Sequence, residues 1–177
     1  AQLDRFMLMI EVGYPGEEEE MEIVRRTTTT EEMTVDPIMD AEEVMRVQSL
    51  VRDVPVPDHV VRYALRLVRA TREPGRDEAD LRDDYVRQYL SWGAGPRASQ
   101  NLVLAAKARA VLDGRSHAVL EDLTAVAHPV LRHRLLTSFS AEADGVKSDD
   151  VIDHLLESIH PDESGGTSRS QMDAVMR

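Results

Sequence analysis

Gly93-Ala94-Gly95-Pro96-Arg97-Ala98 opens a helix that runs to about Asp113, and Leu102-Val103-Leu104-Ala105-Ala106 within it is apolar on every face. A helix with no polar face is surrounded by other elements. This stretch predicts a helical bundle with that helix at its centre. Proline suits the first helical position, where its missing N–H would lack an intrahelical partner anyway. Arg97 follows in the first turn, at the positive end of the helix dipole, where a cation is disfavoured. An arginine there points to an anion that it meets, and helix N-termini bind phosphate readily. The alternative is a solvated arginine with no partner. Lys107, Arg109 and Asp113 return polarity at the far end, and Gly114 suits a C-terminal cap.

The neighbours of this helix read as helices too. Asp40 with Glu43 forms a capping pattern, and Val44, Val47 and Val51 keep helical spacing up to Asp53. Val54-Pro55-Val56-Pro57 is an extended connector. From Asp58 to near Arg72, Val61, Ala64, Leu65 and Val68 form one face, with Arg62, Arg66 and Arg69 largely opposite. Glu73 to Arg82 reads as a charged loop around Pro74-Gly75. Asp84 to Trp92 predicts a short helix with Tyr85, Tyr89 and Trp92 on its core side. Leu120 to about Leu135 predicts a helix that Pro129 kinks or splits. Thr137 to Val146 reads as a looser stretch. Ser148 is the expected cap of a last helix with Val151, Ile152, Leu155, Leu156 and Ile159 inward.

The first thirty residues have another character. Met7-Leu8-Met9-Ile10-Glu11-Val12 is a nearly continuous apolar run, which predicts a buried strand of a parallel sheet. One strand is not stable alone, so the expectation is that this is the C-terminal piece of a longer chain with its sheet partners upstream. A helix follows from Glu17 to Arg26, acidic at its start and basic at its end as the dipole favours. Thr27 to Thr30 ends it, since threonine is a poor helix former. The expected organisation is residues 1–30 as the end of an α/β core, 31–37 as linker, 38–159 as a mainly α domain, and 160–177 as a polar, disordered tail.

Composition narrows the function. The 177 residues have a net charge of −12, which argues against a nucleic-acid binder such as a helix-turn-helix protein. There is no cysteine, hence no disulfide and no thiolate zinc site. His128 and His133 are five apart, which does not put two ligands on one helix face, and no metal site is expected. No apolar run approaches a membrane span, and no signal peptide is evident, so the expected location is cytoplasmic. Arg132-His133-Arg134 near a helix end reads chiefly as an answer to the dipole, with a phosphate or a neighbouring subunit as the alternative.

Ala1-Gln2-Leu3-Asp4-Arg5-Phe6, Tyr14-Pro15 followed by acids, Arg69-Ala70-Thr71-Arg72, Gly-x-x-Pro-Arg-Ala at 93–98 and Val130-Leu131-Arg132-His133-Arg134-Leu135 stand in one order. Together, over residues 1 to about 159, they resemble the C-terminal portion of a MoxR-type AAA+ ATPase. The resemblance implies a helical lid preceded by one strand and helix of the ATPase core. It implies that Arg5 is an arginine finger acting on the neighbouring subunit's ATP, and that Gly95, Pro96 and Arg97 form the sensor 2 segment, with Arg97 on nucleotide phosphates. It implies ATP and magnesium as cofactors of the full-length protein, a homo-oligomeric ring of six subunits, and chaperone-like remodelling or metal-cofactor insertion beside a von Willebrand factor A domain partner. No nucleic-acid or membrane partner is implied. Two departures stand out: Gly95 replaces the usual serine, and Val119-Leu120 replaces a Thr-Pro helix start. No Gly-x-x-x-x-Gly-Lys-[Ser/Thr] phosphate loop and no magnesium-binding acidic strand end occur in the 177 residues, so they are not expected to bind or hydrolyse ATP alone. The competing expectation is a non-enzymatic helical adaptor that reuses a lid-like bundle for protein interaction.

Overall fold

The computed structural model of the chain describes residues 2–30, 35–75 and 79–161. It is mostly helical and divides into two compact units, one spanning Ile10–Ser49 and the other built from residues up to Met9 with those from Leu50 onward.

The first unit holds α1 (Glu17–Thr27) and most of α2 (Ala41–Asp53). Four glutamates open α1 and Arg25 and Arg26 close it, matching the dipole. The threonines after it act as the sequence suggests: Thr27 and Thr28 donate their hydroxyls to the carbonyls of Ile23 and Val24, four residues back. The start of α2 is a reciprocal box. Asp40 N–H donates to Glu43 Oε2 at 2.9 Å, and Glu43 N–H donates to Asp40 Oδ1 at 2.7 Å. Neither helix buries a residue.

The strand expected over Met7–Val12 is not formed. A strand needs a neighbour to pair its backbone groups, and the described residues offer this segment none. Ile10 and Val12 are 75% and 89% exposed. Met9 N–H donates instead to the carbonyl of Pro129 at 2.8 Å.

The second unit is organised on α5 (Pro96–Leu112). It packs against α3 (Asp58–Arg69), α6 (Leu120–Ala125), α7 (Ala127–Leu131) and a single 3₁₀ turn at Leu3–Arg5. Ala98, Leu102, Ala105, Ala106 and Ala110 are buried along it, and the small alanines let neighbouring helices approach closely. Leu67, Leu123, Leu131, Ile152 and Leu155 fill the remaining core. Gly114 takes φ +69°; Gly114 N–H donates to Val111 O at 3.0 Å and Arg115 N–H to Ala110 O at 2.8 Å, a paired closure that satisfies the last carbonyls.

Three local expectations are corrected. The helix at Asp84 ends at Tyr89 as α4, and Leu90–Trp92 continues as β1, antiparallel to β2 (Leu136–Thr137). Tyr85 and Tyr89 pack on the core, but Trp92 is 73% exposed. The stretch after Thr137 is not loose: α8 (Phe139–Asp144) is capped by Ser138, whose hydroxyl accepts from Ala141 N–H, and is closed by Gly145 at φ +73°. The last helix, α9 (Ser148–Ser158), is capped by Asp150, which accepts from Lys147 N–H at 2.7 Å, with Ser148 already inside it. The split at Pro129 is present but falls one turn earlier. A proline cannot donate to the residue four back and crowds its carbonyl. That residue is Ala125, the last of α6. The tail beyond Pro161 lies outside the described residues, as do residues 31–34 of the expected linker.

Candidate functional site

The start of α5 is fixed by Thr71. Its hydroxyl donates to Val68 O at 2.7 Å and accepts from Ala94 N–H at 2.9 Å, both buried. Gly93 lies flat on the same residue: a Cβ added there would stand 2.0 Å from the Thr71 carbonyl oxygen. Two short motifs distant in sequence, Arg69–Arg72 and Gly93–Ala98, are thus one packed corner. Gly95 is then the extended N-cap of α5, Pro96 its first residue, and Arg97 lies in its first turn. Nothing lies within 4 Å of where a Gly95 Cβ would be, so the approach to the helix end is open.

Arg97 meets an anion there, and it is a carboxylate of the same chain. Its Nη1 donates to Asp4 Oδ2 at 3.2 Å, with the arginine side chain 55% exposed. The other carboxylate oxygen, Asp4 Oδ1, accepts from Arg134 Nε at 3.1 Å. Arg134 is the opposite of Arg97 in setting, its side chain 1% exposed. Burial pulls its guanidinium down and the Asp4 carboxylate opposes that; arginine starts so far above neutral that it stays charged. Beside it, His133 Nε2 lies 3.0 Å from the Phe6 carbonyl, while Nδ1 is buried without a partner. Burial, with the neighbouring Arg134 charge, lowers the His133 pKa and favours the neutral ring.

The structure therefore brings Arg97, Gly95 and Pro96 together with the Leu3–Arg5 turn at one end of α5. Arg5 itself is exposed, and its guanidinium stands 5.3 Å from the centre of the Phe6 ring, a cation–π contact. Sequence reasoning missed Asp4 and Arg134. The cluster at 132–134 is not mainly an answer to the helix dipole. Arg132 donates to both Asp149 oxygens, at 3.2 and 2.8 Å, while His133 and Arg134 hold the N-terminal segment. No local pattern pairs Asp4 with a residue 130 positions on.

Residues 82–155 match the AAA lid domain family. The chain is 35% identical over 159 residues to the chaperone MoxR1 of Mycobacterium tuberculosis, covering 90% of this chain and 41% of that protein. It is 36% identical over 77 residues to the protein MoxR of Paracoccus denitrificans, covering 44% of this chain and 23% of that one. The crystal structure of a presumed ATPase from Cytophaga hutchinsonii superposes with a TM-score of 0.79 at 31% identity, over 92% of this chain and 48% of the other. The chain thus spans less than half the length of each. Residues 82–155 thus carry an AAA lid domain, in a chain similar to MoxR-type AAA+ proteins.

Proposed function

We propose that these residues are the nucleotide-sensing lid and the adjoining finger segment of an ATP-driven, chaperone-like machine. The observation that carries the reading is the exposed cation Arg97 in the first turn of α5, with Gly95 open before it and a part-exposed carboxylate as its partner. A phosphate oxygen has the charge and hydrogen-bonding capacity of that carboxylate, and the dipole of a 17-residue helix adds to the attraction. Arg97 would then act as sensor 2, and the outward Arg5 as an arginine finger reaching the nucleotide of a neighbouring subunit in a ring. A finger spreads positive charge over the phosphoryl group as it transfers, worth about 10³–10⁵ in rate elsewhere.

The residues present suit the phosphate end of ATP and not its metal. Among the described residues no group of three or more histidines and carboxylates could hold an ion. Magnesium and the bulk of the nucleotide would be held by segments outside these 177 residues. The name of the mycobacterial relative, chaperone MoxR1, supports a chaperone role for this chain; action on a client, or cofactor insertion with a separate partner protein, is the finer form of this proposal.

The test is made in the full-length protein. Arg5→Ala cuts ATP turnover by orders of magnitude while nucleotide affinity is retained. Arg97→Ala changes nucleotide affinity. If both variants match the parent in both measurements, the chain is an adaptor and not part of the ATPase site.

A further inference from the structure

We propose that Arg134 is the positioning residue of the Arg5 segment, a clamp that fixes where the exposed Arg5 side chain is presented. This rests on the finger reading of Arg5 and deepens it.

An arginine carries five N–H donors in a rigid fork. All five are matched here. Nε donates to Asp4 Oδ1 at 3.1 Å, Nη1 to Met7 O at 3.2 Å and to Val130 O, and Nη2 to Asp4 O at 3.0 Å and to Phe6 O. One acceptor, Val130, lies on α7, the arginine's own side of the contact. The other four belong to Asp4, Phe6 and Met7. Two of them, the carbonyls of Asp4 and Phe6, bracket Arg5 in the chain. The backbone of Arg5 is therefore gripped on both sides, and its side chain is left outside the grip, against the Phe6 ring. His133 adds a further contact to Phe6 O, and Pro129 O takes the N–H of Met9. No helix or ladder hydrogen bonds fix residues 7–9, so their geometry depends on the Pro129–Arg134 stretch.

The fork cannot be replaced by a point charge. A lysine keeps the cation but has three donors on one nitrogen, and it cannot reach acceptors spread over Asp4, Phe6 and Met7 at once. Charge retained with geometry lost is the distinguishing condition.

In the full-length protein, Arg134→Lys is expected to lower kcat for ATP at least tenfold with KM within about twofold of the parent. Hydrogen–deuterium exchange over residues 3–9 should quicken at least tenfold. In an Arg5→Ala background, Arg134→Lys should cost nothing further, because a clamp has no effect once the group it positions is gone. Asp4→Asn tests the same contact from the other side with the carbonyl bonds left in place. It should lower kcat by a smaller factor, with no further effect on kcat beside Arg5→Ala, and it keeps the test open if Arg134→Lys does not fold. A parent-like kcat in a folded Arg134→Lys protein overturns the proposal, as does an additive loss with Arg5→Ala. If Arg5→Ala is itself silent, the finger reading has failed and the clamp has nothing to position; a crippled Arg5→Ala beside a silent Arg134→Lys means that the clamp alone is wrong.

Discussion

The Asp4 carboxylate and the Arg97 guanidinium stand 3.2 Å apart although 93 residues separate them in the chain. The carboxylate is shared with Arg134, which is buried, whereas Arg97 is open to solvent. The two halves of this bridge therefore differ in strength. Charges in water attract weakly, and an exposed pair contributes about 0–1 kcal/mol. The Arg134 half sits among backbone acceptors away from water, where an unmatched partner is costly. The exposed half is the one that an incoming phosphate can replace.

Asp4→Asn should therefore free Arg97. Nucleotide affinity of the full-length protein is expected to rise, by up to about fivefold, the equivalent of the roughly 1 kcal/mol ceiling for such a pair. In an Arg97→Ala background the same substitution should leave affinity unchanged. Nucleotide titrations of the two single variants and the double variant measure this, and a rise that persists without Arg97 refutes the exchange.

Two glycines two residues apart before α5 should respond differently. Gly93→Ala drives a methyl group into the Thr71 carbonyl, a backbone atom that cannot swing aside. The expected cost is about 1–3 kcal/mol. Gly95→Ser meets nothing within 4 Å and has an ordinary extended backbone. It should be neutral or stabilising by a few tenths of a kcal/mol, since serine is a good N-cap. Urea midpoints compare the two.

His133 should make stability fall in mild acid. Its folded pKa lies below the ordinary histidine value because burial penalises the charged ring. The unfolded chain then binds the proton more tightly than the folded one. The contribution is complete above the ordinary pKa of about 6.5 and is lost as pH drops from there toward the depressed folded value. His133→Gln keeps a donor for Phe6 O and should flatten the dependence of Tm on pH between about 7 and 5. An unchanged slope would show that other groups set it.

Asp122 replaces the missing Thr-Pro helix start. It is buried, accepts from Val119 N–H at 2.9 Å, and is held by Arg115 Nη1 at 2.6 Å. Arg115 holds its carboxyl below the usual carboxylate range. Asp122→Ala leaves a helix-start N–H unmatched, but the part-exposed Arg115 can turn to water, so the loss should be about 1–3 kcal/mol rather than more. The sign with pH is the same as that of His133, but the range lies lower. The stabilisation is present above the ordinary aspartate pKa of about 3.9 and disappears only as pH falls through the lower folded value. Thermal melts of Asp122→Ala and the parent should therefore differ by a constant amount across neutral pH.

Periodicity was enough for most of the helices, because each has a face or core pattern that repeats within its own length. It failed for α8, where six residues are too few to show a period, and for Leu90–Trp92, whose strand pairing is supplied by residues 136–137. At Met7–Val12 no strand forms among the described residues, because an apolar run becomes a buried strand only where partners pair with it. At the candidate site the sequence marked Arg97 as misplaced on a helix and so pointed to an anion. It did not say which, since a carboxylate and a phosphate satisfy the same dipole and charge.

The sequence by itself determined the all-round apolar helix from Pro96, the caps around it, and the cation in its first turn, because those are set by residues within a few positions of one another. Only the tertiary structure decided that Asp4 meets that cation and that Arg134, beneath it, grips the backbone on both sides of Arg5. A buried arginine and a solvated one look the same in a sequence. What separates them is whether folding brings five acceptors within reach.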